Sequence, residues 1–245
     1  MEFTPSLSRS LMQKLSDISV LTLFFLVLYF RNPLLFSYPT PSGEDLPIFL
    51  GQEYSIGFPE TVFITYSGYI HLLPRIIAWL SMKFEWPNAM VVMNWAVLLI
   101  KILTFYMIYK SEEIKSVFIK LSLLAYLVLI PFAEVIYNNV TNLQWWLIPL
   151  MAVTIVRRET SKASLLLSCF ILILTGLTGV NSVMFAVPCV YLLFKDKTKE
   201  NPIKTIIILI SSCIQIYCLI SSPRIGKIDY NSIFTGGGAM DNRYN

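Results

Sequence analysis

Side chains suited to chemistry fall in three short stretches of an otherwise apolar chain. The first is Gly43-Glu44-Asp45, two adjacent carboxylates between prolines. Acids in such a place are often simply solvated. Held within about 3 Å of a sugar hydroxyl, one of them would act as a general base while that oxygen attacks. Neighbouring side chains point different ways, so at most one of the two serves. Asp45 is the favoured base. Glu44 would position the acceptor or hold a divalent cation such as Mg or Mn, since carboxylate oxygens are hard ligands.

The second stretch is Tyr66-Ser67-Gly68-Tyr69-Ile70-His71-Leu72-Leu73-Pro74-Arg75. On a helix, Ser67, His71 and Arg75 would recur every four residues along one face. Arg75 offers a phosphate two parallel hydrogen bonds, and His71 offers a donor or a proton relay. The plainer reading is an amphipathic interfacial helix, with its tyrosines and Trp79 in the aromatic belt. A lipid phosphate would lie at the same level, so the two readings are compatible. Arg224 and Lys227 are the next candidates for that phosphate.

The third stretch runs from Glu134 to Trp146 and is dense in amides: Asn138, Asn139, Asn142 and Gln144, followed by Trp145. Amides hydrogen-bond sugar hydroxyls, and indole faces pack on the C–H face of a sugar. With Tyr66 and Tyr69, residues Glu134, Asn138, Asn142, Gln144 and Trp145 form the candidate sugar and acceptor set. A polar hairpin with tryptophan anchors would look the same. Asn139-Val140-Thr141 also matches a glycosylation sequon. Lys101, with Asn94 seven residues before it, lies deep in an apolar run, where a charge is costly and a functional candidate by default.

The elements that must position these residues are apolar helices. The chain is 56% hydrophobic and 14% charged, against roughly 25% charge in a soluble domain. That excludes a soluble enzyme, a disordered chain and a nucleic-acid binder. The four cysteines, with no C-x-x-C pair, read as small apolar residues rather than a zinc site or disulfide framework. An all-α, polytopic membrane protein is predicted, with spans over about 18–36, 89–109, 117–137, 143–156, 164–177, 181–194 and 205–221. A loop with an interfacial helix occupies 37–86, and a tail 222–245. The tail contains Gly236-Gly237-Gly238 and reads as the end of a truncated copy of something longer.

Basic residues collect in short cytoplasmic loops. Placing the N-terminus inside gathers residues 9, 14, 110, 115, 120, 157, 158, 162, 195, 197, 199 and 204 on the cytoplasmic face, provided 62–82 does not cross fully. It also requires the 31 residues of 164–194 to cross twice, turning at Thr175-Gly176-Leu177-Thr178-Gly179-Val180-Asn181. Arms of about 14 residues are short for about 30 Å of hydrocarbon. The vertex should then lie below the outer surface, and because such backbone is tolerated only inside protein or beside a water-filled cavity, a polar cavity opening outward is predicted. Any chemistry belongs on that outer face.

Together, these features resemble the GT-C superfamily of membrane glycosyltransferases. The similarity is greatest to bacterial polyprenyl-phosphate-sugar-dependent enzymes, including serotype-converting O-antigen glucosyltransferases. It rests on Gly43-Glu44-Asp45, on Tyr66-x-Gly68-Tyr69-x-His71-Leu72-x-Pro74-Arg75, on Asn138 to Trp146, and on the broken Thr175-to-Gly179 hairpin. The resemblance implies a first outer loop with membrane-parallel helices and an acidic base matching Asp45 or Glu44. It implies a lipid-linked sugar donor, a glycan acceptor such as lipopolysaccharide of the cell envelope, and a place in the bacterial inner membrane. The chain is short for such an enzyme. A lipid-linked oligosaccharide flippase and an O-antigen polymerase are the alternatives; Lys101 and Asn94 are the mid-span support for a transporter.

Overall fold

The computed structural model describes residues 5–38, 43–129, 138–196 and 198–222. Helices make up its regular structure, and no β-strand occurs among the described residues. The first, α1, spans Pro5–Arg31. It starts before the apolar run and stops where Asn32-Pro33 turns the chain into a 3-10 turn, Pro33–Phe36. The span expected at 18–36 is therefore shifted toward the N-terminus, because Pro33 cannot donate to a helix already under way.

The loop expected at 37–86 is largely ordered backbone. A 3-10 turn at Gly43–Asp45 and a π-turn at Leu46–Leu50 lead into α2, Gly51–Ser55. Another 3-10 turn follows at Glu60–Phe63, and then α3, Leu72–Ser81. Residues 66–69 are not helical. Tyr66 and Tyr69 exchange backbone hydrogen bonds across Ser67 and Gly68, whose φ angles are +56° and +89°. Two positive φ values in sequence make a tight hairpin turn. Ser67, His71 and Arg75 thus do not share a helical face: Ser67 is in the hairpin, His71 caps α3, and Arg75 alone is within it.

Five further helices complete the bundle before the last. They are α4, Trp86–Lys110; α5, Val117–Leu129; α6, Leu143–Val156; α7, Lys162–Gly176; and α8, Asn181–Lys195. The last described helix is α9, Asn201–Ser221. Residues 130–137 of the span expected at 117–137 lie outside the described residues, as does nearly all of the expected tail. By length and composition, α4 and α9 can cross a membrane. At 1.5 Å per residue they measure about 37 and 31 Å. The two 15-residue arms α7 and α8 measure only about 22 Å, so their vertex is set in from the ends of α4 and α9.

Helix α4 is apolar all round because it is central, packed by α1, α3, α5 and α6. Leu28, Met93, Val97, Phe105, Leu124 and Leu147 are among the residues filling that core. A smaller cluster of Met151, Ile155, Leu172, Cys189 and Ile208 joins α6 to the α7–α8–α9 unit. All four cysteines are free.

The bundle has two chemically different ends. Lys110 pairs with Asp17 at 2.9 Å, and Arg158 lies near Glu113 and Asp196 at 3.9 and 3.7 Å. Lys204 pairs with Glu159 at 2.7 Å. These contacts gather the C-terminal ends of α4, α6 and α8 with the middle of α1 and the first turn of α9, a basic end. The opposite end holds residues 43–81, the approach to α6, the α7–α8 vertex and the end of α9.

Candidate functional site

At this acid end the favoured base, Asp45, is 5% exposed. The backbone N–H groups of Val140 and Thr141 donate to its carboxylate at 2.8 and 2.9 Å, and the Thr141 hydroxyl donates at 2.6 Å. Two successive N–H groups aimed at one carboxylate form an anion nest. Burial pushes the Asp45 carboxyl above its ordinary range; the hydrogen bonds from Thr141 and Val140 oppose that, and the charge of Glu44 adds to it. This geometry makes Asp45 a structural fastener, holding the first turn of the outer loop to the chain that enters α6. Glu44, next to it, is exposed. The Tyr66 hydroxyl lies beside Glu44; burial first, then that carboxylate, raises the phenol's pKa. The fold thus commits Asp45 to donors of the chain entering α6 and leaves Glu44 at the surface.

Arg75 is wholly buried. Its terminal nitrogens donate to the Ile48 carbonyl at 2.9 Å, to Gln52 Oε1 at 2.7 Å and to the Ile64 carbonyl at 3.3 Å. Its guanidinium also stacks 4.9 Å from the centre of the Phe49 ring. Burial lowers its pKa to about 10, with Glu53 pulling the other way. The fork expected to hold a lipid phosphate instead satisfies the carbonyls of the π-turn and of the chain after Phe63. A sequence cannot distinguish those acceptors from a phosphate, because both call for the same planar donor.

His71 sits inside an aromatic cage, with ring centres 4.7 Å from Tyr69, 5.6 Å from Tyr66 and 5.7 Å from Phe49. It is fully buried, and neither ring nitrogen has a hydrogen-bond partner. The Tyr66 backbone is close enough to favour the charged form slightly, without the alignment of a hydrogen bond. Burial and the neighbouring Arg75 cation dominate and lower the imidazole to about 4. It is neutral near pH 7.

The hairpin carrying Tyr66 and Tyr69 is stitched to the α7–α8 vertex. Leu72 N–H donates to the Leu177 carbonyl at 2.9 Å and Gly179 N–H to the Ile70 carbonyl at 3.0 Å. Gln215, from α9, accepts from Ile70 N–H at 2.9 Å and donates to the Ile70 carbonyl at 3.1 Å. Asn181 donates to the Gln144 carbonyl at 2.8 Å. Protein groups from the hairpin, α6 and α9 thus satisfy the backbone of this inset turn. Gly179 has φ +79°, and a Cβ there would come within 2.1 Å of Gln144 Oε1. Gln215 escaped the sequence reading, although a single amide inside an apolar helix was a visible signal.

Of the candidate sugar-binding residues, Gln144 is buried and reaches the Tyr69 hydroxyl at 3.4 Å. Asn142 is half-buried and Trp145 exposed. Asn138 is buried; it donates to the Asn94 carbonyl at 3.1 Å and accepts from Lys101 Nζ at 3.4 Å. Lys101 also lies 4.5 Å from the centre of the Trp146 ring. Asn139 is buried, and its side-chain oxygen accepts from Asn142 N–H at 2.7 Å. That burial takes the sequon off the surface. Glu134, Arg224 and Lys227 lie outside the described residues.

Tyr66, Tyr69, His71 and Gln144 therefore converge, with Glu44 as the exposed carboxylate above them. Such a cluster can accept a proton and hydrogen-bond a polyhydroxyl ligand. No group of three His, Cys, Asp or Glu side chains placed to hold a metal ion occurs among the described residues. Compared with family models, characterised proteins and solved structures, the chain has no match in any of the three.

Proposed function

We propose that the chain is an integral, multi-pass membrane glycosyltransferase of the bacterial inner membrane. It moves a sugar from a polyprenyl-phosphate donor to a surface glycan on the periplasmic side. The observation carrying this reading is the exposed Glu44 carboxylate beside the Tyr66 phenol, above Tyr69, His71 and Gln144, at the end of the bundle opposite the basic cluster. Large apolar side chains exposed on several helices support a lipid setting. Phe118 is 80% exposed on α5 and Ile220 79% exposed on α9, more apolar surface than a soluble monomer leaves uncovered. The basic residues then orient the bundle, with the acid end outside.

In this mechanism Glu44 takes the proton of the acceptor hydroxyl as its oxygen attacks the anomeric carbon. The new C–O bond forms as the bond from that carbon to the phosphate oxygen breaks, and the lipid phosphate leaves with the electron pair. Tyr66 orients Glu44. Arg224 and Lys227 are the cations assigned to the leaving phosphate, because Arg75 is occupied by carbonyls. Lys101, bonded to Asn138 and lying over Trp146, fits a structural part of the bundle better than a transport path.

Membranes carrying the protein, incubated with labelled polyprenyl-phosphate hexose and a glycan acceptor, test the assignment. Glu44→Gln should lower transfer by about 10²–10⁴-fold without changing the melting temperature. Undiminished transfer in that variant rejects Glu44 as the base. A reporter fused after residue 50 that reads out in the cytosol rejects the orientation.

A further inference from the structure

A second site stands at the basic end. A cleft of about 310 Å³ opens between the C-terminal ends of α4 and α6. Tyr106, Met107, Glu112 and Glu113 line it from α4 and the chain that follows, and Arg157 and Arg158 from the end of α6. Arg157 is half-buried, and among the described residues its guanidinium has only a 3.8 Å contact with Met107 Sδ as a hydrogen bond. Arg158 makes two loose pairs, at 3.9 Å to Glu113 and 3.7 Å to Asp196, with its side chain 72% exposed. Most of the donors on these two planar forks face the cleft or water.

The carbonyl ends of two helices should repel an anion here. At α6 that repulsion is already answered, since Lys204 Nζ donates to the Thr154 and Arg157 carbonyls at 3.0 and 2.6 Å from behind. At α4, Lys110 occupies the last turn. The cleft is thus left with two adjacent guanidiniums whose geometry suits phosphate. Basic pockets between helices on the cytoplasmic side of a bundle are the usual places for anionic headgroups.

We propose that this cleft binds a phosphate-bearing anion through Arg157 and Arg158. A lipid headgroup and a soluble phosphate ester share that chemistry. The site is independent of the acid end, so it stands or falls without the transferase reading.

The test uses the full chain in nanodiscs and reads the melting temperature. One arm replaces phosphatidylcholine with phosphatidylglycerol; the other adds glycerol 1-phosphate to phosphatidylcholine discs. Stabilisation in the first arm assigns a headgroup, and stabilisation only in the second assigns a soluble ester. In the responding arm, Arg157→Gln and Arg158→Gln should each raise the half-saturating ligand by about tenfold. Lys115→Gln, which removes an exposed charge at the same end outside the cleft, should leave it unchanged. No stabilisation in either arm, or an equal loss in Lys115→Gln, would overturn the proposal.

Discussion

At the acid end, Asp45 and Arg75 are both buried, yet they do not pair with each other. Asp45 takes three donors from the chain entering α6, and Arg75 gives its donors to two carbonyls and an amide. At the basic end, Lys204 and Glu159 are buried together and pair directly at 2.7 Å. Burial would raise Glu159, but Lys204, Ser164 and Ser168 hold its carboxyl below the ordinary range. The difference follows the local backbone. A helix end leaves only its last carbonyls open, and Lys204 answers those of Thr154 and Arg157 while still meeting Glu159. Irregular segments leave more such groups, and there the charged side chains are used up as the hubs that satisfy them.

The contrast breaks most visibly at the basic end. Lys204→Met leaves Glu159 buried without its cation, and stability should fall by about 3–5 kcal/mol, read by thermal unfolding in detergent. The double variant Lys204→Met/Glu159→Met should recover most of that loss, because the cost lies in the stranded charge.

The acid end should respond to pH. His71 is lowered from 6.5 to about 4, so the unfolded chain binds its proton first. The stabilisation is full above pH 6.5 and is lost as pH falls toward about 4. Over that window it amounts to about 3 kcal/mol. His71→Phe keeps the aromatic cage and should flatten this part of the stability profile. An unchanged slope would mean that another group titrates there.

Asp45→Asn sharpens the contrast between neighbours. It weakens charge-assisted hydrogen bonds to Val140 and Thr141 and should cost about 2 kcal/mol, whereas Glu44→Gln should cost nothing measurable in stability. If the two variants lose transfer equally while both stay folded, the division of labour between the two carboxylates is wrong. The smallest effect belongs to the exposed Lys110–Asp17 pair: Lys110→Ala should change stability by less than about 1 kcal/mol, and less still in high salt.

The sequence reading located most of the helices because long apolar runs have few other ways to bury their backbone. The boundaries at 143–156 came from that pattern, and the break after Gly176 from the placement of the basic residues together with the glycines of the turn. It misread 62–71, where spacing suggested a helical face. Positive φ at Ser67 and Gly68, together with hydrogen bonds to Leu177, Gly179 and Gln215, made a hairpin instead. The partner that decides the conformation lies more than a hundred residues away, and local periodicity carries no trace of it.

Composition and the placement of charge determined by themselves that this is an all-helical, strongly apolar chain with its cations sorted toward one end. The hydrophobic effect acts on each run separately, so a run can be read without its neighbours. Only the tertiary structure decided that Asp45 is fastened and Glu44 exposed beside Tyr66, that Arg75 serves carbonyls, and that Lys204 meets Glu159. The state of a charged group depends on which donors and acceptors arrive within about 3 Å of it, and those are chosen by the packing of segments distant in sequence.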